Sequence, residues 1–126
     1  MNKYPWLEDY LLAKPGTEFD HKPAWGWDRY RVREKMFAAI CTPGPEHGAH
    51  AGRTMVILKC DPARAELYRG EFADVVPGFY SDKRSWNSVY LDGEVPEEVL
   101  RAMCDESYAL VTAKLTKKAR RELGLE

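Results

Sequence analysis

The 126-residue chain reads as a single α+β domain with its elements in the order α-β-β-β-α-β-β-α. Three observations predict this. Residues 29–41 join an alternating segment to an apolar run, residues 54–60 and 86–91 repeat strand-like patterning, and a helical stripe follows Pro96. A chain this long buries about two thirds of the surface its unfolded form exposes, so one core suffices without a disulfide or metal staple. The composition agrees: 44% hydrophobic, 31% charged, with four Trp, seven Tyr and four Phe, too apolar and aromatic for a disordered chain.

Each element has a local reason. Trp6, Leu7, Tyr10 and Leu11 share one side of a short helix that Lys14-Pro15-Gly16 ends. Residues 15–27 carry Pro15, Gly16, Phe19, Pro23, Trp25, Gly26 and Trp27, an ordered loop with at most a short extended piece. Arg29-Tyr30-Arg31-Val32-Arg33 alternates charged and apolar residues, and Glu34-Lys35 leads into Met36-Phe37-Ala38-Ala39-Ile40-Cys41, a tight hairpin. Residues 42–53, with three Gly and two Pro, form a loop before a third strand over 54–60.

Asp61 then offers a helix N-cap and Pro62 a first-turn proline, giving a helix over 62–69 that Gly70 stops. Residues 75–80 are short, irregular and extended. In 86–91 large apolar and small polar residues alternate, so the core-facing set is either Trp86, Ser88 and Tyr90 or Asn87, Val89 and Leu91. After Asp92-Gly93, Pro96-Glu97-Glu98 opens a helix whose stripe runs through Leu100, Met103, Cys104, Ser107, Tyr108, Val111 and Leu115. The tail from Thr116 either continues that helix or forms a last short one.

Charge and cysteine usage bound the function. Nineteen Lys and Arg against 20 Asp and Glu leave a net charge of −1, so attraction to a phosphate polymer must come from a local patch. Three cysteines without close pairing, and an N-terminus lacking the apolar core of a secretory signal, point to the reducing cytoplasm. No apolar run approaches the roughly 20 residues that cross a bilayer, so no membrane partner is expected.

Several segments together resemble one family. Lys14-Pro15-Gly16-Thr17-Glu18, Lys35-Met36-Phe37-Ala38, Leu58-Lys59-Cys60-Asp61-Pro62, Lys83-Arg84-x-Trp86-Asn87-Ser88-Val89, Leu91-Asp92-Gly93-x-Val95-Pro96 and Ser107-Tyr108-x-Leu110-Val111-x-Ala113-Lys114-Leu115 are similar to the MmcQ/YjbR family of small bacterial proteins. The match runs in order along nearly the whole chain. It implies a two-layer fold with an antiparallel sheet packed against helices, similar to type III secretion chaperones and described as a double-wing motif. It also carries the family's DNA-binding label. The chain departs from the family pattern in its longer, His- and Gly-richer 42–53 loop.

The candidate DNA contacts are clusters of cations. Lys83 and Arg84 suit phosphates, with Trp86 and Asn87 beside them as stacking and positioning groups. The plainer alternative puts Trp86 in the core, Asn87 in a turn and the cations in solvent. Lys114, Lys117, Lys118 and Arg121, with Arg120 adjacent, would form a basic stripe on a continuous helix, or else complement a helix dipole. Arg29, Arg31, Arg33 and Lys35 share one face of a strand, partly offset by Asp28 and Glu34.

Other groupings point away from catalysis. Cys41, His47, His50 and Cys60 hold zinc-ligand types, but the Cys-x5-His-x2-His-x9-Cys spacing matches no regular finger and the cysteines lie in apolar strands, so no metal is expected. Ser107 falls on the buried stripe without an evident base, a packing position. No Gly-rich phosphate loop or nucleophile elbow occurs, so no catalytic residue, cofactor or enzyme activity is expected. The leading expectation is a monomeric DNA-binding protein. The alternative is a protein-interaction or chaperone-like module gripping a partner through Trp25, Trp27, Phe79 and Tyr80.

Overall fold

A computed structural model describes residues 2–79 and 82–125; Tyr80 of the expected aromatic groove lies outside them. The elements are α1 (Leu7–Leu12), β1 (Thr17–Lys22), β2 (Trp27–Val32), β3 (Lys35–Cys41), β4 (Met55–Lys59), α2 (Pro62–Glu71), β5 (Val75–Pro77), β6 (Trp86–Tyr90), α3 (Glu97–Thr112) and α4 (Lys117–Glu122). The strands form one antiparallel sheet in the order β1-β2-β3-β4-β6-β5. The α+β class is as expected.

Three elements differ from the sequence reading, the first being α2, which runs through Gly70 to Glu71 instead of stopping there. Thr17–Lys22 is a full strand, because Thr17, Phe19 and His21 alternate with Glu18, Asp20 and Lys22 along the sheet's edge. A charged edge strand has few apolar residues to announce it, and charge there discourages edge-to-edge pairing. The tail breaks from α3: Ala113 ends that helix, and the extended Thr116 accepts the Ala119 N–H at 3.1 Å to cap a separate α4.

One face of the sheet packs on α1 and α3, burying Leu7, Leu11, Val56, Leu58, Val89 and Leu100. The other face carries a smaller cluster of Trp27, Ala39, Cys41, Met55, Ile57, Phe79 and Tyr90, flanked by Met36, Val76 and Trp86. The alternation in β6 thus serves both faces: Val89 meets the helices, while Trp86 and Tyr90 face the second cluster.

A bulge lets β3 do the same. Tyr30 pairs with Ala38 but Arg31 with Met36, leaving Phe37 as the extra residue. The β3–β4 ladder stops at Ala38–Leu58. Just beyond, the Ser107 hydroxyl of α3 enters between the strands, accepting the Lys59 N–H at 2.9 Å and donating to the Phe37 carbonyl at 2.5 Å.

Loops cover the second face. Gly78 folds the chain back, its own N–H donating to the Trp86 carbonyl at 2.8 Å, and the next N–H, of Phe79, meets the Ser88 hydroxyl at 2.9 Å. A Cβ at Gly78 would lie 2.7 Å from the Trp86 Cβ, so the close approach requires glycine. The 42–53 loop contains a 3-10 segment, Pro45–His50, that sets the His47 and His50 rings 4.9 and 5.4 Å from Phe79. His50 Nδ1 bonds the Tyr90 hydroxyl at 2.7 Å. Arg53 closes the loop, stacking 3.6 Å from the Tyr90 ring and donating to Asp92 at 2.6 Å.

Candidate functional site

The two ends of the sheet differ in chemistry. At one end Lys59 and Trp86 are register partners, and α2 begins directly after β4. A groove of about 440 Å³ lies there, lined by Lys59, Cys60, Asp61, Pro62, Asp82, Arg84, Ser85, Leu110 and Lys114. Its cations come from β4, the turn before β6 and the end of α3. The Lys59 Nζ sits 5.4 Å from the half-buried Trp86 ring.

The two carboxylates of this groove serve their own backbone. Asp61 caps α2, accepting the N–H groups of Ala63 and Arg64 at 3.2 and 3.4 Å. Asp82 accepts the Arg84 N–H and the Ser85 hydroxyl, both at 3.0 Å. Those two bonds hold its carboxyl below the ordinary 3.8, helped by the fields of Arg84 and Lys59, so Asp82 also trims the groove's positive potential. Among the described residues Lys59, Arg84 and Lys114 make no ion pair.

The other expected contact residues fall elsewhere. Arg29 forks onto Asp20 of β1 at 2.8 and 2.6 Å, and Arg31 shares that carboxylate at 3.4 Å. Arg33 is not on the strand face: with Glu34 it forms the β2–β3 turn at φ values of 49° and 70°, and it pairs with Glu122 at 3.0 Å. Arg29 and Arg31 therefore brace the edge strand, and Arg33 braces α4, rather than forming a free basic face. Lys83 donates to the Gly78 carbonyl at 3.1 Å, holding the fold-back.

Asn87 is fully buried and braces α2 to β6 through the Ala65 carbonyl at 3.2 Å and the Arg69 guanidinium at 2.7 Å, so it presents nothing to a ligand. The continuous basic stripe does not form, because the break before Thr116 separates Lys114 from Lys117, Lys118 and Arg121. Arg120 turns inward onto the Thr112 and Leu125 carbonyls at 2.9 and 3.1 Å. Lys117, Lys118 and Arg121 remain exposed on α4. Sequence reasoning missed Lys59; its signal was a lone cation closing the apolar run Met55–Lys59 just before a helix cap.

Groups that might do chemistry are spent structurally. Burial pushes the thiols of Cys41, Cys60 and Cys104 to about 12, far from thiolate reactivity. Cys41 and Cys60 sit toward opposite ends of the sheet, and no group of three metal-ligating side chains forms among the described residues. No helix among them is long and apolar enough to cross a membrane.

At the opposite end, about 280 Å³ of space lies between the β1–β2 connection and the 42–53 loop. Trp25, Trp27, Phe79 and His47 contribute rings, and Glu46 a carboxylate. Three of the four expected aromatics therefore come together.

Residues 12–110 match the YjbR family model. The chain belongs to the YjbR family. It is 32% identical over 117 residues to "Uncharacterized protein YjbR" of Escherichia coli K12, covering 93% of each chain. It is 27% identical over 109 residues to "Uncharacterized protein YyaQ" of Bacillus subtilis, covering 80% of this chain and 91% of that one. The crystal structure of Deinococcus radiodurans protein DR2400, with a DUF419 domain, superposes with a TM-score of 0.82 at 30% identity, spanning all of this chain and 91% of the other. A Pseudomonas syringae crystal structure shares the fold at a TM-score of 0.72 and 21% identity, over 88% of this chain and 99% of that one.

Proposed function

We propose that this YjbR-family chain is a non-enzymatic binding module that takes duplex DNA by its phosphates at the groove of Lys59, Arg84 and Lys114. The observation that carries the reading is the convergence of three cations from separate parts of the chain, without ion pairs among the described residues, on one groove beside the half-buried Trp86. The exposed Lys117, Lys118 and Arg121 of α4 extend the charge beyond Lys114. Phosphate contact of this kind positions a duplex without reading its sequence. A binding role rather than a catalytic one is supported by Ser107, whose hydroxyl is committed between two strands, and by the suppressed thiols.

The test is a fluorescence-anisotropy titration of a short labelled duplex across a salt series. With about three phosphates neutralised, log affinity should fall against log salt with a slope of about −3. The triple variant Lys59→Ala, Arg84→Ala, Lys114→Ala should flatten that slope and weaken binding at every salt concentration, while a thermal melt reports its folding. Absence of binding at low salt, or an undiminished triple variant, would sink the idea. In a second reading, the ring-lined cavity at the far end grips a partner chain; its support is Trp25, a residue 57% exposed.

A further inference from the structure

The cavity at the end of the sheet away from Lys59 has a composition the DNA reading leaves unused. Trp27 and Phe79, 6% and 7% exposed, are its buried rings, and Trp25 stands at its mouth. The Trp25 and Trp27 rings lie 5.5 Å apart at 70°, and His47 meets Phe79 at 4.9 Å and 87°. Such edge-to-face pairs turn ring faces in different directions around a common space. Among the described lining residues Glu46 has the one carboxylate, with an oxygen 3.3 Å from the His47 Nε2, and there is no Lys or Arg. The Glu46 carboxylate folds back over the 42–53 loop, with one oxygen 2.6 Å from where a Cβ on Gly44 would lie.

Rings with negative faces and a single carboxylate are the chemistry that recognises an organic cation. Trp25 already shows the preference: the Lys22 Nζ lies 5.3 Å from its ring and the Arg29 guanidinium 5.8 Å. Asp20 answers the Arg29 charge through two hydrogen bonds while also pairing with Arg31, and Lys22, without an ion pair among the described residues, is the cation that an incoming ammonium group displaces from the Trp25 ring. The volume falls just below the roughly 300–1,000 Å³ that holds a drug-sized ligand, which suits a head group or one side chain.

We infer that the Trp25–Trp27–Phe79–Glu46 cavity binds an alkylated ammonium group, whose low hydration lets it sit among the rings while Glu46 balances its charge. The group is carried either by a small molecule such as choline or by a trimethylated lysine on a peptide. This site is separate from the proposed DNA groove, and its test uses no DNA.

The full chain is titrated with choline, with its neutral carbon isostere 3,3-dimethylbutanol, and with a trimethyllysine peptide, read by tryptophan fluorescence and by the indole N–H signals in NMR. A saturable response to either cation, with the isostere binding about tenfold weaker or not at all, is the expected result. The tighter of the two cations identifies the carrier. Trp25→Ala, at an exposed ring, and Glu46→Gln, at an exposed carboxylate, should each weaken cation binding by about threefold to tenfold without lowering the melting temperature. No saturation by either cation, equal binding of the isostere, or unchanged titrations in both variants would overturn the inference.

Discussion

Ser107 has one hydroxyl hydrogen and two lone pairs, and the fold uses the hydrogen on the Phe37 carbonyl and a lone pair on the Lys59 N–H. The bulge at Phe37 leaves those backbone groups without ladder partners, and the hydroxyl stands in for the missing rung. Ser107→Ala would strand a buried carbonyl and N–H, which costs about 1–3 kcal/mol. A urea denaturation curve should show that loss as a lower midpoint at unchanged slope; an unaltered midpoint would mean the backbone finds other partners. Asn87 plays a comparable part between α2 and β6, where Arg69 and Ala65 use both ends of its amide. Ser107, expected at a packing position, and Asn87, expected either beside phosphates or in a turn, both act as braces, because a buried polar group must be satisfied wherever it sits.

At the scale of elements, Arg53 holds the 42–53 loop to the second face of the sheet together with the His50–Tyr90 hydrogen bond. Arg53 reaches Asp92 at 2.6 Å and Asp74 at 3.4 Å while stacking on Tyr90. The hydrogen bond from Arg53, reinforced by its charge against the opposing effect of burial, keeps the Asp92 carboxyl below its ordinary 3.8. A carboxyl with a depressed folded-state pKa contributes stability that is present above the unfolded value and lost as pH falls through the folded one. Chemical denaturation should therefore show stability dropping below about pH 4, and Asp92→Asn should remove part of that drop while lowering stability at neutral pH. If wild type and Asp92→Asn show parallel pH profiles, Arg53 is not the anchor. Asp20 adds a parallel contribution at the sheet edge, where the hydrogen bonds of Arg29 lower its carboxyl in the same way.

For the molecule as a whole, a net charge of −1 is distributed so that many cations are answered close by, as Arg29 is by Asp20, Arg33 by Glu122 and Arg64 by Glu106. Lys59, Arg84 and Lys114 converge on the groove at one end of the sheet, and Trp25, Trp27 and Phe79 on the cavity at the other. The six-stranded sheet lies between the proposed DNA groove and the proposed ammonium cavity, which have no lining residue in common among the described residues. Saturating choline should leave the anisotropy titration of duplex DNA unchanged within about twofold, a coupling of less than about 0.5 kcal/mol. A larger shift in either direction would show that the two ends communicate.

The local order of this chain was legible in its residues. The α3 stripe from Leu100 to Val111, the Asp61-Pro62 start of α2 and the 29–41 hairpin all announce themselves, because periodicity, capping and turn chemistry are written within a few residues. Motifs spread over 14–115 pointed to the family, since they reflect many positions at once. Tertiary structure alone decided which cations are free. Asp20 is nine residues from Arg29 and Glu122 is 89 from Arg33, and only sheet pairing and the docking of α4 bring them together. It also decided that Lys59 meets Arg84 and Lys114, and that the 42–53 loop carries Glu46 and His47 to Trp27. A charge or a ring is a property of one residue; whether it is answered or left open depends on partners far along the chain, and folding is what selects them.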